Sequence, residues 1–510
     1  MTAKTLMVQG TGSSVGKSVI VAALCRVLRQ DGWNVAPFKA QNMSLNSFVT
    51  RDGGEMGRAQ VVQAEAACVE PTVDMNPILL KPEADNRSQV IVRGKPLATQ
   101  SAVEYYSLKE YLWAIVCESL ERLLSEYEVL VIEGAGSPAE INLRDKDLVN
   151  MAVARRFHAP VLLVADIDRG GVFASIVGTL ELLEPEERAL IKAVVINKFR
   201  GDLSLLIPGL TSLSERTGIP VAGVVPYYHD IHIAEEDSVP LEWRMGTKGK
   251  ESCLLDIAVI HLPHMSNFDD FDPLEQENGV RLRYIEPKDT LGHPDLVILP
   301  GTKSTIADLE YIKRNGIADE IVAFARNGVP VIGICGGYQM LGEFILDPQY
   351  VESALARIEG LRLLPVTTTF LSVKSTHQVK GHVIRDGGLL RQAFGLAITG
   401  YEIHMGQTVG DHIEPPFQIE ERSRRPCWDV DGCQSMEGGV LGTYVHGLFH
   451  NRELRRSILA GLATRKGVTL HFGADVWSKE EEYDKLANLI RNNLDMNLIY
   501  RIIGQDKKTT

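Results

Sequence analysis

Short apolar runs alternate with longer amphipathic stretches along the first half of the chain. Runs at 6–9, 35–38, 129–132, 161–165, 194–196 and 221–226 read as buried strands. After the first run, Val19, Ala22, Ala23 and Val27 fall at helical spacing, in a helix predicted to end near Asp31 and Gly32. Continuously apolar strands separated by helices predict a parallel sheet covered on both faces. The polar stretch 235–252, with Glu235, Glu236 and Asp237 at its start, reads as a linker. A second series of strands follows at 257–260, 296–299 and 331–334, and the pattern from about 360 to 446 is richer in strands, with runs at 361–364, 382–384 and 440–444. In the tail, Tyr483, Leu486, Ile490 and Leu494 line one helical face, and Ser478 with Glu481 has capping-box spacing. That face is expected to pack onto the second domain, with a dimer contact as the alternative. The fold class is therefore α/β, with expected divisions at 1–234, 235–252, 253–450 and 451–510.

Composition narrows the function. A chain of 510 residues exceeds a single hydrophobic core, so more than one domain is expected. The net charge of −13 lacks the basic footprint that a nucleic-acid backbone requires. No apolar run reaches the roughly 18 residues of a membrane span. The N-terminus enters a strand at once, without a signal-peptide pattern, and the cytoplasm is the expected compartment. The seven cysteines are odd in number and show no C-x-x-C spacing, which fits reduced thiols.

Two segments carry chemistry. Gly10-Thr11-Gly12-Ser13-Ser14-Val15-Gly16-Lys17-Ser18 follows a strand and opens a helix, which makes a nest of backbone N–H groups for phosphates. Lys17 would reach the β/γ oxygens and Ser18 would bind Mg²⁺. Glu133, at the end of another strand, is the second candidate metal ligand, and Asp166 is a weaker one at the next strand end. Thr11 stands where the usual first glycine belongs, and the loop resembles the dethiobiotin synthetase and ParA/MinD group. In related folds an asparagine placed like Asn197 reads the adenine edge, so Asn197 joins Gly10, Thr11, Gly12, Val15, Gly16, Lys17 and Ser18 as a candidate ATP-binding residue.

The other segment is Val331-Ile332-Gly333-Ile334-Cys335-Gly336-Gly337, a strand running into a cysteine and two glycines. This is the pattern of a nucleophile elbow, with the thiol at a helix N-terminus where the anion is favoured. His446, after the strand 440–444, is the candidate base, and backbone N–H groups near Gly301 and Gly336 are candidates for the oxyanion hole. These motifs resemble class I glutamine amidotransferases. Those enzymes carry a Glu two residues after the His, where this chain has Leu448. What orients His446 is thus open; the patch Tyr401-Glu402-Ile403-His404-Met405-Gly406 is one expected source of a partner.

A nucleotide site that activates a carboxylate and a cysteine site that releases ammonia together predict an amide ligase. The loop at 10–18, Lys39-Ala40-Gln41-Asn42-Met43-Ser44-Leu45-Asn46-Ser47, Asn197-Lys198-Phe199-Arg200-Gly201-Asp202 and the Cys335 elbow resemble the cobyric acid synthase family. The resemblance implies an ATP-binding amide-ligase domain over 1–234, a glutamine amidotransferase domain over 253–450 and a helical extension over 451–510. It implies as substrates ATP with Mg²⁺, L-glutamine and adenosylcobyrinic acid a,c-diamide, whose b, d, e and g carboxylates become amides in cobalamin biosynthesis. No prosthetic group is expected, and a homodimer is left open. Lys39, Arg51, Arg58 and Arg87 are candidates to hold the substrate carboxylates. The alternatives are cobyrinic acid a,c-diamide synthase and a ParA/MinD-like ATPase switch.

Overall fold

The computed structural model describes residues 3–84, 87–228, 230–233, 253–286, 288–473 and 478–504, so the expected linker at 235–252 lies outside the described residues. Two compact units divide the chain. The first comprises Met1–Ser44, Met56–Glu236 and Trp477–Thr510; the second comprises Leu45–Glu55 and Asp237–Val476. The grouping departs from the expected boundaries at 45–55 and in the tail.

The first unit is built on a six-stranded parallel sheet. Its strands run in the order Val221–Pro226, Ile191–Phe199, Val161–Asp166, Lys4–Gly10, Val129–Glu133 and Val35–Phe38. Every strand expected in this half is present. Lys17–Gln30 is a helix whose Ile20, Val21, Leu24 and Leu28 are buried in the core. The tail helix Lys479–Asn493 buries Tyr483, Leu486 and Ile490 in that same core. The expectation that it would pack onto the second domain is thus corrected. An apolar stripe shows that a helix has a partner without naming it, and here charge helps to select the partner: Arg26 binds Asp484 at 2.7 Å and Arg491 binds Asp31 at 2.7 Å. Ser478 is the N-cap residue but makes no side-chain capping bond, so the expected capping box does not form. A separate four-stranded sheet, Gln41–Met43, Ile78–Ala84, Arg87–Val92 and Lys95–Ser101, was not legible in the apolar pattern.

In the second unit, Val280–Ile285, Leu255–Ile260, Leu296–Leu299, Val331–Ile334 and Val440–Thr443 lie parallel in that order, with Cys433–Gln434 antiparallel at the edge. The β-rich stretch forms a further sheet around the paired strands Thr367–Val383 and Ala397–Val409. Residues 361–364, expected as a strand, are a loop. Their N–H groups bond to the carbonyls of Met340, Leu341 and Gly342, closing the end of the helix Gly336–Leu341 instead of joining a ladder. In both units the candidate residues lie where parallel strands end, the edge at which open α/β sheets bind ligands.

Candidate functional sites

In the first unit the loop at 10–18 is tightly folded. A Cβ on Gly10 would come within 2.6 Å of Val15, and Gly16 has φ +95°, a conformation that glycine adopts without strain. Asn197 is buried and donates from Nδ2 to the Val15 carbonyl at 2.8 Å, so it braces the loop from below. Lys198 extends that brace, with Nζ 2.6 Å from the Ser14 carbonyl and 2.9 Å from Asp166. Lys17 curls back onto the carbonyls of Gly12 and Gly136, at 2.8 and 3.2 Å. Glu133 is fully buried, and its carboxylate gathers the site: Ser18 Oγ donates to Oε1 at 2.7 Å, Lys39 Nζ to Oε1 at 2.9 Å and Gln63 Nε2 to Oε2 at 2.5 Å. The oxygens of Ser18 and Glu133 stand side by side, a donor set that suits a hard cation.

In the second unit Cys335 has φ +52° and ψ −108°, strained for a residue with a Cβ, at the point where the strand Val331–Ile334 turns into the helix Gly336–Leu341. The turn is close-packed: a Cβ on Gly337 would lie 2.0 Å from the Leu299 carbonyl oxygen. The thiol donates to the Ile403 carbonyl at 3.4 Å, and Cys335 is one of the groups that raise the pKa of His446. Gly301 packs against the His446 ring, where a Cβ would meet His446 Cε1 at 2.7 Å, and Gly336 abuts Thr302.

His446 is almost wholly buried, and its Nδ1 lies 2.7 Å from Asp270 Oδ2. The other oxygen of Asp270 accepts the Gly447 N–H at 2.7 Å. One carboxylate therefore fixes both the ring and the backbone after it. Burial alone would lower the His446 pKa; the charge and hydrogen bond of Asp270, with Cys335, outweigh burial and push it up to about 10. The result favours the protonated, imidazolium form of the His446 ring. Tyr401 stacks on His446 with centroids 5.4 Å apart and planes 13° apart.

The regions matched by known families coincide with the two sites. Residues 6–241 match the CobQ/CobB/MinD/ParA nucleotide binding domain, and residues 256–454 match the CobB/CobQ-like glutamine amidotransferase domain. Curated relatives named cobyric acid synthase match at full length. That of Dehalococcoides mccartyi (strain CBDB1) is 52% identical, with 99% of both chains covered. That of Sorangium cellulosum (strain So ce56) is 53% identical, with 100% of both covered. That of Desulfitobacterium hafniense (strain DSM 10664 / DCB-2) is 52% identical, with 99% of both covered. The chain belongs to the cobyric acid synthase family. It is a glutamine-dependent amidating ligase of cobalamin biosynthesis, with an ATP-binding domain and a glutamine amidotransferase domain. Among the described residues, no helix is long and apolar enough to cross a membrane.

Within this family member several expected residues take different places. Lys39, expected to hold a substrate carboxylate, is buried and paired with Glu133 at 2.9 Å. Arg58 is also buried, with its charge set against Glu65. Arg87 is exposed on its strand and donates to the Thr99 carbonyl at 3.1 Å, and Arg51 is exposed within the second unit. The patch at 401–406 does not supply the acidic partner of His446. Glu402 pairs with Arg422 at 2.6 Å, and His404, which burial holds below the usual histidine range, stacks on Tyr444 at 3.8 Å. The partner is Asp270, 176 residues from His446 and unmarked by any spacing rule. The available signal was its place in an acidic loop just beyond the strand Leu255–Ile260.

Proposed function

We propose that this chain converts the b, d, e and g carboxylates of adenosylcobyrinic acid a,c-diamide to amides, using one ATP and one glutamine for each. The observation that carries the glutaminase half is the Cys335–His446–Asp270 constellation. Cys335 attacks the glutamine carboxamide, and the N–H groups around Gly301 and Gly336 stabilise the oxyanion. His446 gives its proton to the departing ammonia, and Asp270 holds the ring in the orientation that this requires. Water then hydrolyses the thioester to glutamate, with His446 as the base.

At the other site the carboxylate must gain a better leaving group than oxide. Transfer of the ATP γ-phosphoryl makes an acyl phosphate, and ammonia displaces phosphate to leave the amide. Lys17 would exchange its bonds to Gly12 and Gly136 for the β/γ oxygens. Ser18 and Glu133 would hold Mg²⁺, which when bound neutralises the charge of the transferring phosphoryl group. Lys39 would then give up part of its hold on Glu133. ATP and glutamine as substrates favour a cytoplasmic reaction.

The test follows product mass with ATP, glutamine and adenosylcobyrinic a,c-diamide. Four successive acid-to-amide steps are expected, lost with glutamine in Cys335→Ala and restored there by ammonium. ATP turnover without glutaminase activity or corrinoid dependence would overturn the reading.

A further inference from the structure

Residues Leu45–Glu55 come from the N-terminal part of the sequence, yet they group with the second unit. Three consecutive side or main chains of this segment bear on the surroundings of His446. Asn46, 1% exposed, accepts from the Phe268 N–H at 3.4 Å. The Ser47 carbonyl accepts from Asn267 Nδ2 at 2.6 Å, and the same Nδ2 donates to the Tyr401 hydroxyl at 2.8 Å. Phe48 meets Tyr401 edge-on, with centroids 5.3 Å apart. Tyr401 is the ring stacked on His446. Asn267 has φ +54° and immediately precedes the turn Phe268–Phe271 that presents Asp270. The segment therefore touches both supports of the histidine, its stacking ring and the turn that carries its carboxylate.

The segment is firmly anchored. Ser47 Oγ donates to Glu55 at 2.8 Å, and Glu55 forms a buried ion pair with Lys374 at 2.5 Å. Gln378 donates to the Val49 carbonyl at 2.9 Å, and Thr376 to the Gly53 carbonyl at 2.8 Å. A buried ion pair is stable only where the geometry is held well, so a loosely lying loop does not account for these contacts.

We infer that Leu45–Glu55 is a working part of the glutaminase centre, with Asn46, Ser47 and Phe48 as positioning residues for Asp270 and His446. The inference rests on the Cys335–His446 glutaminase reading. It means that the region matched as an amidotransferase domain, 256–454, lacks a support of its own active site. It also gives a physical reason for the continuous run from Lys39 to Ser47. Its first residue holds Glu133 in the first unit, and its last residues hold Asn267 in the second.

The test uses the full-length chain with Phe48→Ala, reading glutamine hydrolysis, its pH profile and ammonium-driven amidation. Glutaminase kcat is expected to fall roughly tenfold with KM for glutamine nearly unchanged, part of the hundredfold that a displacement of about 1 Å can cause. The alkaline limb of kcat/KM, set by His446 near 10, should move down as Asp270 loosens. Ammonium-driven amidation should persist, and Phe48→Tyr should restore hydrolysis. Wild-type hydrolysis and pH profile in Phe48→Ala would overturn the inference. If Phe48→Ala also loses the ammonium-driven reaction, Tyr401→Phe decides, since it keeps the stack and removes only the hydroxyl held by Asn267. An unchanged glutaminase there would overturn the inference as well. If instead Cys335→Ala retains glutamine hydrolysis, it is the glutaminase reading that has failed.

Discussion

The two sites are assembled in opposite ways. In the first unit most of the cradle is one continuous loop, 10–18, whose backbone conformation does the work and whose braces, Asn197 and Lys198, are neighbours in sequence. In the second unit each group comes from a different place: the proposed nucleophile at 335, the proposed base at 446, the carboxylate at 270, the stacked ring at 401 and the inferred support at 46–48. Phosphate binding needs many similar N–H donors close together, which one loop can supply. A proton relay needs a few unlike side chains in fixed order, which no short loop can hold. The first kind of site is written in a motif, and the second is written in the packing.

The largest expected effect that tests this comparison is Asp270→Asn. Removing the carboxylate should lower glutaminase kcat by roughly 10²–10⁴, as wrong orientation of a catalytic histidine does. Because the negative charge is what raises His446, the alkaline limb of kcat/KM should shift below 10. An unshifted limb would show that Asp270 does not govern the histidine.

Next is Lys39→Met in the first unit. It leaves the buried Glu133 carboxylate without its cation, and loss of one partner of a buried pair costs about 3–5 kcal/mol. Thermal denaturation should show this loss in chelator and substantial recovery with Mg²⁺ and ATP, because a cation then takes the vacated place beside Ser18. Equal destabilisation in both conditions would remove Glu133 from the metal site.

The smallest effect concerns Asp431, which accepts bonds from Thr443 and from the Tyr444 N–H, just before His446. Burial raises its pKa from 3.8 to about 6, against the opposing hydrogen bonds. The folded state therefore holds a proton that the unfolded state releases, and stability should fall as pH rises from about 4 through 6. The contribution is at most about 3 kcal/mol. In urea melts, Asp431→Asn should flatten that slope, and an unchanged slope would assign it to other groups.

Much of the fold was legible because strands buried on both faces are continuously apolar. All six strands of the first parallel sheet follow such runs. The strand at 361–364 was misread because apolar residues that cover a helix end look the same in one dimension as a short strand. Cys335 and His446 stood out in the sequence through the glycines and strand ends around them, and the structure places Cys335 beside Ile403 and His446 beside Tyr401. Lys39 and Arg58 were expected to hold substrate carboxylates; that they are buried, one beside Glu133 and the other with its charge set against Glu65, was not legible in the sequence.

The sequence by itself determined the local elements, the phosphate loop and the strained turn at Cys335, because each depends on backbone conformation over a few adjacent residues. Only the tertiary structure decided which partner the tail helix covers, which carboxylate serves His446 and where residues 45–55 belong. An amphipathic face, an aspartate or a short polar segment can satisfy itself against many surfaces. The choice among them is made by shape and charge on elements far away along the chain, and local spacing carries no record of it.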